Sequence, residues 1–181
     1  MPINTAEVRK LFPATKRINY LFNGGTCLCC SPVQDAIRSF LAEIENGESG
    51  DNWQKWINDA SEAYKLFAGL IGARTEEVVA IPNTSTGTGL IAHMINPKPG
   101  TKIVLDDLAF NTIYPFTVRE KYGVGIRIAR NVEGYTNIKE LQSVVDDETS
   151  AIVVSSVTCW NGYRYNLKEL SEIAHRHDAY L

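Results

Sequence analysis

The sequence lacks a strong excess of charge of either sign, and it lacks any apolar run near the ~20 residues that a membrane-spanning helix needs. Its 181 residues contain 18 Lys and Arg against 21 Asp and Glu, which is a formal net charge of −3. We therefore expect neither nucleic acid nor a membrane as a partner. The N-terminal residues do not form a basic region followed by an apolar core, so we expect no signal peptide and a cytoplasmic protein.

Cysteine is scarce and clustered. Cys27, Cys29 and Cys30 lie close together, and Cys159 is far along the chain. This arrangement is unsuitable for a disulfide framework. Cys27 and Cys30 have C-x-x-C spacing, which leaves a zinc or redox site as an alternative. Because no second pair and no nearby histidine accompany them, we expect small reduced loop residues and no metal.

The sequence does contain a regular alternation of short apolar runs and amphipathic patterns. The runs predict strands at 78–81, 102–105, 125–129 and 151–155, with a further strand that begins at 179. The patterns between them predict helices at 85–95, 112–122, 138–145 and 167–177. Two helices precede this series, at 31–46 and 53–71. The alternation predicts an α/β protein, a three-layer α/β/α arrangement around a mostly parallel sheet.

The segment 83–89 joins the first predicted strand to the next helix and is rich in small hydroxyl residues and glycine. Such a turn exposes unpaired backbone N–H groups at the positive end of the helix dipole, which favours an anion, most often a phosphate. Ser85 and Thr86 are the candidate ligands, and Gly87 and Gly89 allow a ligand to approach closely. The alternative is that both hydroxyls only cap the helix.

Five segments, in order along essentially the whole chain, resemble the class V aminotransferase family of pyridoxal-phosphate (PLP) enzymes of fold type I. This family includes cysteine desulfurases, kynureninase and isopenicillin N epimerase-like proteins. The matching segments are 20–26, 72–79, 83–89, 107–110 and 161–167. The last reads NGYRYNL and is similar to the NG-[FY]-R-x-D-L run of the epimerase-like branch. The resemblance implies PLP as the cofactor and an amino acid as the substrate.

The resemblance also implies roles for particular residues in holding the cofactor. Ser85 and Thr86 would bind its phosphate, and Phe110 would stack on its pyridine ring. Other family members carry histidine at the position of Phe110; phenylalanine can orient the ring but cannot move protons. The alternative for Phe110 is an ordinary core aromatic residue.

Three further implied contacts lie elsewhere in the chain. Asn161 would contact the cofactor, although Thr158 or Cys159 could supply that contact, because the cysteine stands where the desulfurase branch has asparagine. Asn23 and Arg164 would bind the substrate, the arginine through a carboxylate. A solvated loop arginine is the alternative for Arg164.

Two functional groups of the family have no counterpart in this sequence. The aspartate that pairs with the pyridine nitrogen would fall just beyond Leu181, and the lysine that holds the cofactor covalently would lie further on. We therefore assign no catalytic residue. We expect residues 1–75 to form an N-terminal arm with helices, and 76–181 to form the first half of the PLP-binding large domain.

The expected function is the N-terminal portion of a PLP-dependent enzyme, with transfer, epimerase, lyase and desulfurase chemistry all open. A homodimer or a complementing C-terminal chain is the expected partner. Two alternatives remain. One is a non-catalytic phosphate- or nucleotide-binding module, although no complete G-x-G-x-x-G and no P-loop lysine is present. The other is a fragment that docks on a partner chain.

Overall fold

The computed structural model describes residues 3–110, 113–135 and 137–181. The chain divides into two compact units, one that ends at Ala80 and one that covers Ile81–Leu181. The predicted boundary at residue 75 stays a prediction. No helix of the described residues combines the length and the apolar character needed to cross a membrane.

The first unit is helical. Its elements are α1 (Thr5–Lys10), a 3-10 turn (Pro13–Lys16), α2 (Ser31–Glu45), α3 (Ser49–Ile71) and a second 3-10 turn (Thr75–Glu77). The two predicted long helices are confirmed. The first described residues form α1, whose start is capped because the Asn4 side chain accepts the backbone N–H groups of Ala6 and Glu7.

The pairing of α2 with α3 is held by one aromatic contact and one hydrogen bond. The rings of Phe40 and Trp56 meet edge to face, with centroids 4.9 Å apart. Trp56 Nε1 donates to Glu43 Oε2 at 2.7 Å, and this bond lowers the pKa of the Glu43 carboxyl. Trp56 therefore packs against α2, whereas Trp53 is 63% exposed.

The predicted strand at 78–81 is wrong. None of these residues belongs to a strand, and Val79 is 76% exposed. A strand exists only where a neighbouring strand takes up its backbone hydrogen bonds. Among the described residues, none pairs with this segment, so its apolar and β-branched composition has no ladder to join.

The second unit is built on a parallel sheet of three strands. They are β1 (Lys102–Asp106), β2 (Gly125–Ala129) and β3 (Thr149–Val153), in the order β2-β1-β3. Tyr180 extends the sheet beside β3, where Ile152 N–H donates to the Tyr180 carbonyl at 2.8 Å. The predicted parallel sheet is confirmed, with β3 starting earlier than its apolar run.

Helices cover both faces of this sheet. They are α4 (Thr84–Ile95), α5 (Tyr114–Thr117) with a following 3-10 turn (Val118–Tyr122), α6 (Ile138–Ser143) and α7 (Leu167–Arg176). The helix predicted at 112–122 is thus split. Its predicted first residue, Thr112, lies outside the described residues.

Two hydrophobic clusters lie on opposite faces because side chains alternate along a strand. Val104 packs with Leu141, Ile152 and Leu170 on one face. On the other face, its β1 neighbours Ile103 and Leu105 pack with a second set of side chains, those of Ala92, Phe116 and Val124. The predicted three-layer α/β/α arrangement is therefore confirmed.

Candidate functional site

The turn before α4 is closed by Asn83. Its Oδ1 accepts the Thr86 backbone N–H at 2.9 Å and the Thr86 hydroxyl at 3.1 Å, and its carbonyl accepts the Gly87 N–H at 3.2 Å. Asn83 is the N-cap residue of α4. Both donors of Thr86 are therefore engaged by the cap.

The first two residues of α4 keep their backbone donors. The N–H groups of Thr84 and Ser85 precede the first intrahelical bond and have no hydrogen-bond partner among the described residues. Ser85 is exposed, and the first turn of α4 contains no acidic residue. Two aligned donors at the positive end of a 12-residue helix favour an anion.

Gly87 lets this turn pack closely on the preceding segment. A Cβ atom at this position would overlap Cδ1 of Ile81. A larger residue would therefore require the Ile81 side chain to move. The close approach of a ligand at Gly87 and Gly89 stays a prediction.

The first half of α4 lies near the carboxyl end of β3. Thr88 of α4 and Ser156, which follows β3, line the same cavity of 360 Å³. In open parallel sheets, ligands bind at this carboxyl edge. The anion-binding turn therefore belongs to the edge of the sheet at which the loops after the strands are found.

Phe110 follows β1 and is half exposed, so its ring is available to a ligand. The turn before it is closed by Asp106, whose Oδ1 accepts the Leu108 N–H at 2.8 Å and whose carbonyl accepts the Ala109 N–H at 3.2 Å. Asp106 is 2% exposed, and burial raises the pKa of its carboxyl.

Asn161 lies in the loop after β3 and already uses both ends of its side chain. Its Oδ1 accepts the Tyr163 N–H at 2.9 Å and a hydrogen bond from the Thr158 hydroxyl, and its Nδ2 donates to the Gly134 carbonyl. Thr158 is buried, whereas Cys159 is exposed. The predicted cofactor contact of Asn161 stays a prediction, and it would require some of these bonds to open.

The two predicted substrate residues are found in different units. Arg164 is exposed, and its backbone forms an antiparallel bridge with Val157 in the loop after β3. Asn23 belongs to the first unit, where it lies in a turn and lines a cavity of 620 Å³ with Tyr20 and Cys27. Their role in substrate binding stays a prediction.

The cysteines do not form a metal site in the described residues. Cys27, Cys29, Cys30 and Cys159 are free, and no group of three or more metal-ligating side chains is present in 3–110, 113–135 and 137–181.

Sequence reasoning missed two residues that shape this site. Asn83 stands immediately before the helical pattern, and an asparagine there is a recognisable N-cap signal. Asp106 carries no such signal, because an aspartate at the end of an apolar run is equally typical of an exposed turn.

The fold and the candidate site define an α/β protein in which a helix N-terminus with two available backbone donors lies near the edge of a parallel sheet. The family model of aminotransferase class-V matches residues 19–181. The chain therefore belongs to the class V aminotransferase family, which confirms the resemblance of its motifs.

Curated relatives are similar over nearly all of this chain but are about twice as long. The "Uncharacterized aminotransferase YcbU" of Bacillus subtilis is 24% identical over 175 residues, which are 97% of this chain and 46% of the relative. A "Probable cysteine desulfurase" of Methanothermobacter thermautotrophicus is 25% identical over 179 residues, 96% of this chain and 44% of the relative.

Solved structures show the same fold. A C-DES mutant with glycine covalently linked to its PLP cofactor has a TM-score of 0.82 at 18% identity, covering 95% of this chain and 47% of that protein. The apo cysteine desulfurase of Thermococcus onnurineus NA1 has a TM-score of 0.77 at 24% identity, and the match covers 99% of this chain and 47% of that protein. The chain thus spans about half the length of the proteins it matches.

Proposed function

We propose that this chain forms the N-terminal half of a PLP-dependent enzyme that acts on an amino acid. The observation that carries the proposal is the first turn of α4. There, Asn83 completes the cap and the N–H groups of Thr84 and Ser85 remain without a partner in the described part of the chain. Membership of the class V family makes the phosphate of PLP the anion that fits this turn.

The residues present fit the cofactor in chemistry. Thr84 and Ser85 bind the phosphate through backbone donors, and Ser85 adds its hydroxyl. Phe110 packs against the pyridine ring and keeps it in one orientation. Arg164 binds the carboxylate of the substrate. When bound, PLP supplies an electron sink for charge that develops on the substrate.

This half supplies binding and orientation but not proton transfer. Phe110 has no ionisable group, and no lysine of the sequence stands in the context of the family's cofactor-binding lysine. Transfer, epimerase, lyase and desulfurase reactions therefore remain open for the complete protein. We propose a complementing C-terminal chain or a homodimer as the partner, and a cytoplasmic location.

The experiment is a PLP titration of this chain, alone and mixed with the polypeptide that supplies the second half. We expect the absorbance of protein-bound PLP to appear only in the mixture. Covalent PLP binding by the 181 residues alone would contradict the assignment of the missing lysine.

Variants of the α4 turn then test the phosphate contact in the mixture. Ser85→Ala and the double variant Ser85→Ala with Thr86→Ala are expected to release PLP faster, the double variant more so. Thr86→Ala alone should act mainly through the cap, because Asn83 engages both Thr86 donors. Ser39→Ala, an exposed change on α2, is the control. Unchanged PLP retention in the double variant would exclude the Ser85 hydroxyl as a phosphate contact, because the backbone N–H groups are present in every variant.

The rival function is phosphate or nucleotide binding without catalysis, which uses the same turn. Separate titrations with ATP, NAD and PLP distinguish the two functions. Binding of a nucleotide in the absence of PLP binding by the completed protein would favour the rival.

A further inference from the structure

Three loops leave the sheet at one edge because β1, β2 and β3 are parallel. The β1 loop (107–110) carries Phe110, the β2 loop covers 130–135, and the β3 loop (154–166) carries Asn161 and Arg164. The candidate ring contact and the candidate substrate contact in this unit therefore depend on how these loops are held together.

Side chains join the β2 loop to both of its neighbours. Asp107 of the β1 loop accepts the Asn131 backbone N–H at 2.8 Å and its side-chain amide at 3.0 Å. From the β3 loop, Asn161 donates to the Gly134 carbonyl. These contacts fix the β2 loop between the other two.

Asp106 holds the β1 loop itself. Its Oδ1 closes the turn that leads to Phe110 by accepting the Leu108 N–H. The Asp106 carbonyl also accepts the Ala109 N–H at 3.2 Å, so two hydrogen bonds to one residue hold this turn. Asp106 is 2% exposed, which shields the turn from water.

We propose that Asp106 is a positioning residue that sets the place of Phe110 by closing the turn of the β1 loop through Leu108. Its effect on the cofactor ring rests on the proposed function, whereas its hold on the loop does not. A buried carboxyl is costly compared with an apolar residue of similar size. Asp106 places a buried carboxyl at the start of the turn that leads to the half-exposed Phe110.

The hold on the loop is tested in this chain without cofactor, by hydrogen exchange at individual amides. In Asp106→Ala, the amide of Leu108 should exchange about tenfold faster, because the acceptor that closes the turn is gone. Asp106→Asn keeps the Oδ1 acceptor and should restore slow exchange at Leu108. Asp178→Asn, an exposed aspartate of the same unit, is the control. Unchanged exchange in Asp106→Ala would overturn the proposal.

The effect on the ring is tested in the completed protein by a double-mutant cycle with Phe110→Leu. The readouts are the dissociation rate of PLP and the circular dichroism of its absorbance band, which depends on the orientation of the ring. Asp106→Ala alone should speed dissociation about tenfold and weaken the dichroic band. In the Phe110→Leu background, Asp106→Ala should add little, because its route to the ring is already removed.

The outcomes separate the two proposals. Additive effects of the two variants would overturn the positioning role, since Asp106 would then act independently of Phe110. If the unsubstituted protein does not retain PLP, the proposed function fails while the exchange experiment still decides whether Asp106 holds the loop. Recovery of both readouts in Asp106→Asn supports the positioning role.

Discussion

Asn83 and Thr86 are joined by two hydrogen bonds to a single oxygen, since Asn83 Oδ1 accepts both the Thr86 N–H and the Thr86 hydroxyl. This pair fixes the start of α4 and directs the remaining donors, those of Thr84 and Ser85, away from the cap. The candidate anion site is therefore a product of the cap as much as of the residues that would touch the ligand.

The cap makes a first prediction. Asn83→Ala should lower the free energy of unfolding by about 1 kcal/mol, because the Thr86 N–H loses its acceptor. Asn83→Asp keeps an acceptor and should cost much less. Urea denaturation of the three proteins measures the difference, and equal stability of the alanine and aspartate variants would contradict the role of the cap.

The interior of the second unit makes a second prediction. Leu141 is fully buried in the cluster beneath β1 and β3, so Leu141→Ala should destabilise the protein by about 2–5 kcal/mol through lost burial and a cavity. Leu70, which is 80% exposed on α3, is the matched control. Leu70→Ala should change the stability by about 0.5 kcal/mol or less. Comparable losses of stability in Leu141→Ala and Leu70→Ala would mean that the cluster around Leu141 is not the core.

A third prediction concerns Lys102, whose ammonium lies 2.5 Å from Asp146 and 2.6 Å from Glu148. The hydrogen bond to Asp146, followed by that to Glu148, raises the pKa of Lys102, and Lys102 lowers the pKa of Asp146. The lysine's contribution to stability is present below its unfolded pKa and disappears as pH rises through the folded value. The aspartate's contribution is present above its unfolded pKa and disappears as pH falls.

Lys102→Met should therefore destabilise the protein most between about pH 5 and 9, and least at either extreme. Thermal unfolding across this range measures the effect. Lys139→Met, at an exposed position of α6, is the control and should give a flat difference. A loss for Lys102→Met that does not vary with pH would assign the effect to packing rather than to charge.

A fourth prediction concerns the pH dependence of Asp106. Burial raises the pKa of this carboxyl, so the native state binds more protons than the unfolded state from the unfolded pKa up to the folded one. Its contribution to stability therefore falls as pH rises through that interval. Asp106→Asn removes the titration and should gain stability relative to the unsubstituted chain as pH rises from about 4 to 7. Parallel stability profiles over this range would show that the carboxyl does not titrate as expected.

The sequence predicted the second unit well and the first less well. Apolar runs with helical patterns between them were enough for β1, β2, β3 and α7, because each strand is buried by neighbours within this unit. The same reasoning failed at 78–81, where the apolar composition is present but a paired strand is not. It also missed α1, which depends on one asparagine cap.

For the site, the sequence predicted where donors would be but not which of them stay available. Ser85 and Thr86 look equivalent as neighbouring hydroxyl residues, yet Thr86 is bound by Asn83 and Ser85 is exposed. Asn161 stays a predicted cofactor contact, and the structure adds that its amide joins two loops. The cap of Asn83 on Thr86 is local and can be recognised in the sequence. The bond from Asn161 to Gly134 joins residues that are distant in sequence, and no local pattern contains it.

By itself, the sequence determined the family, the parallel α/β fold and the position of the candidate phosphate turn, because these follow from local periodicity and from short motifs in a given order. Only the tertiary structure decided how Asp107, Asn131 and Asn161 connect the loops. The physical reason is that each of these groups can bond to one of several partners. The folded arrangement of β1, β2 and β3 selects which partner lies within hydrogen-bonding distance.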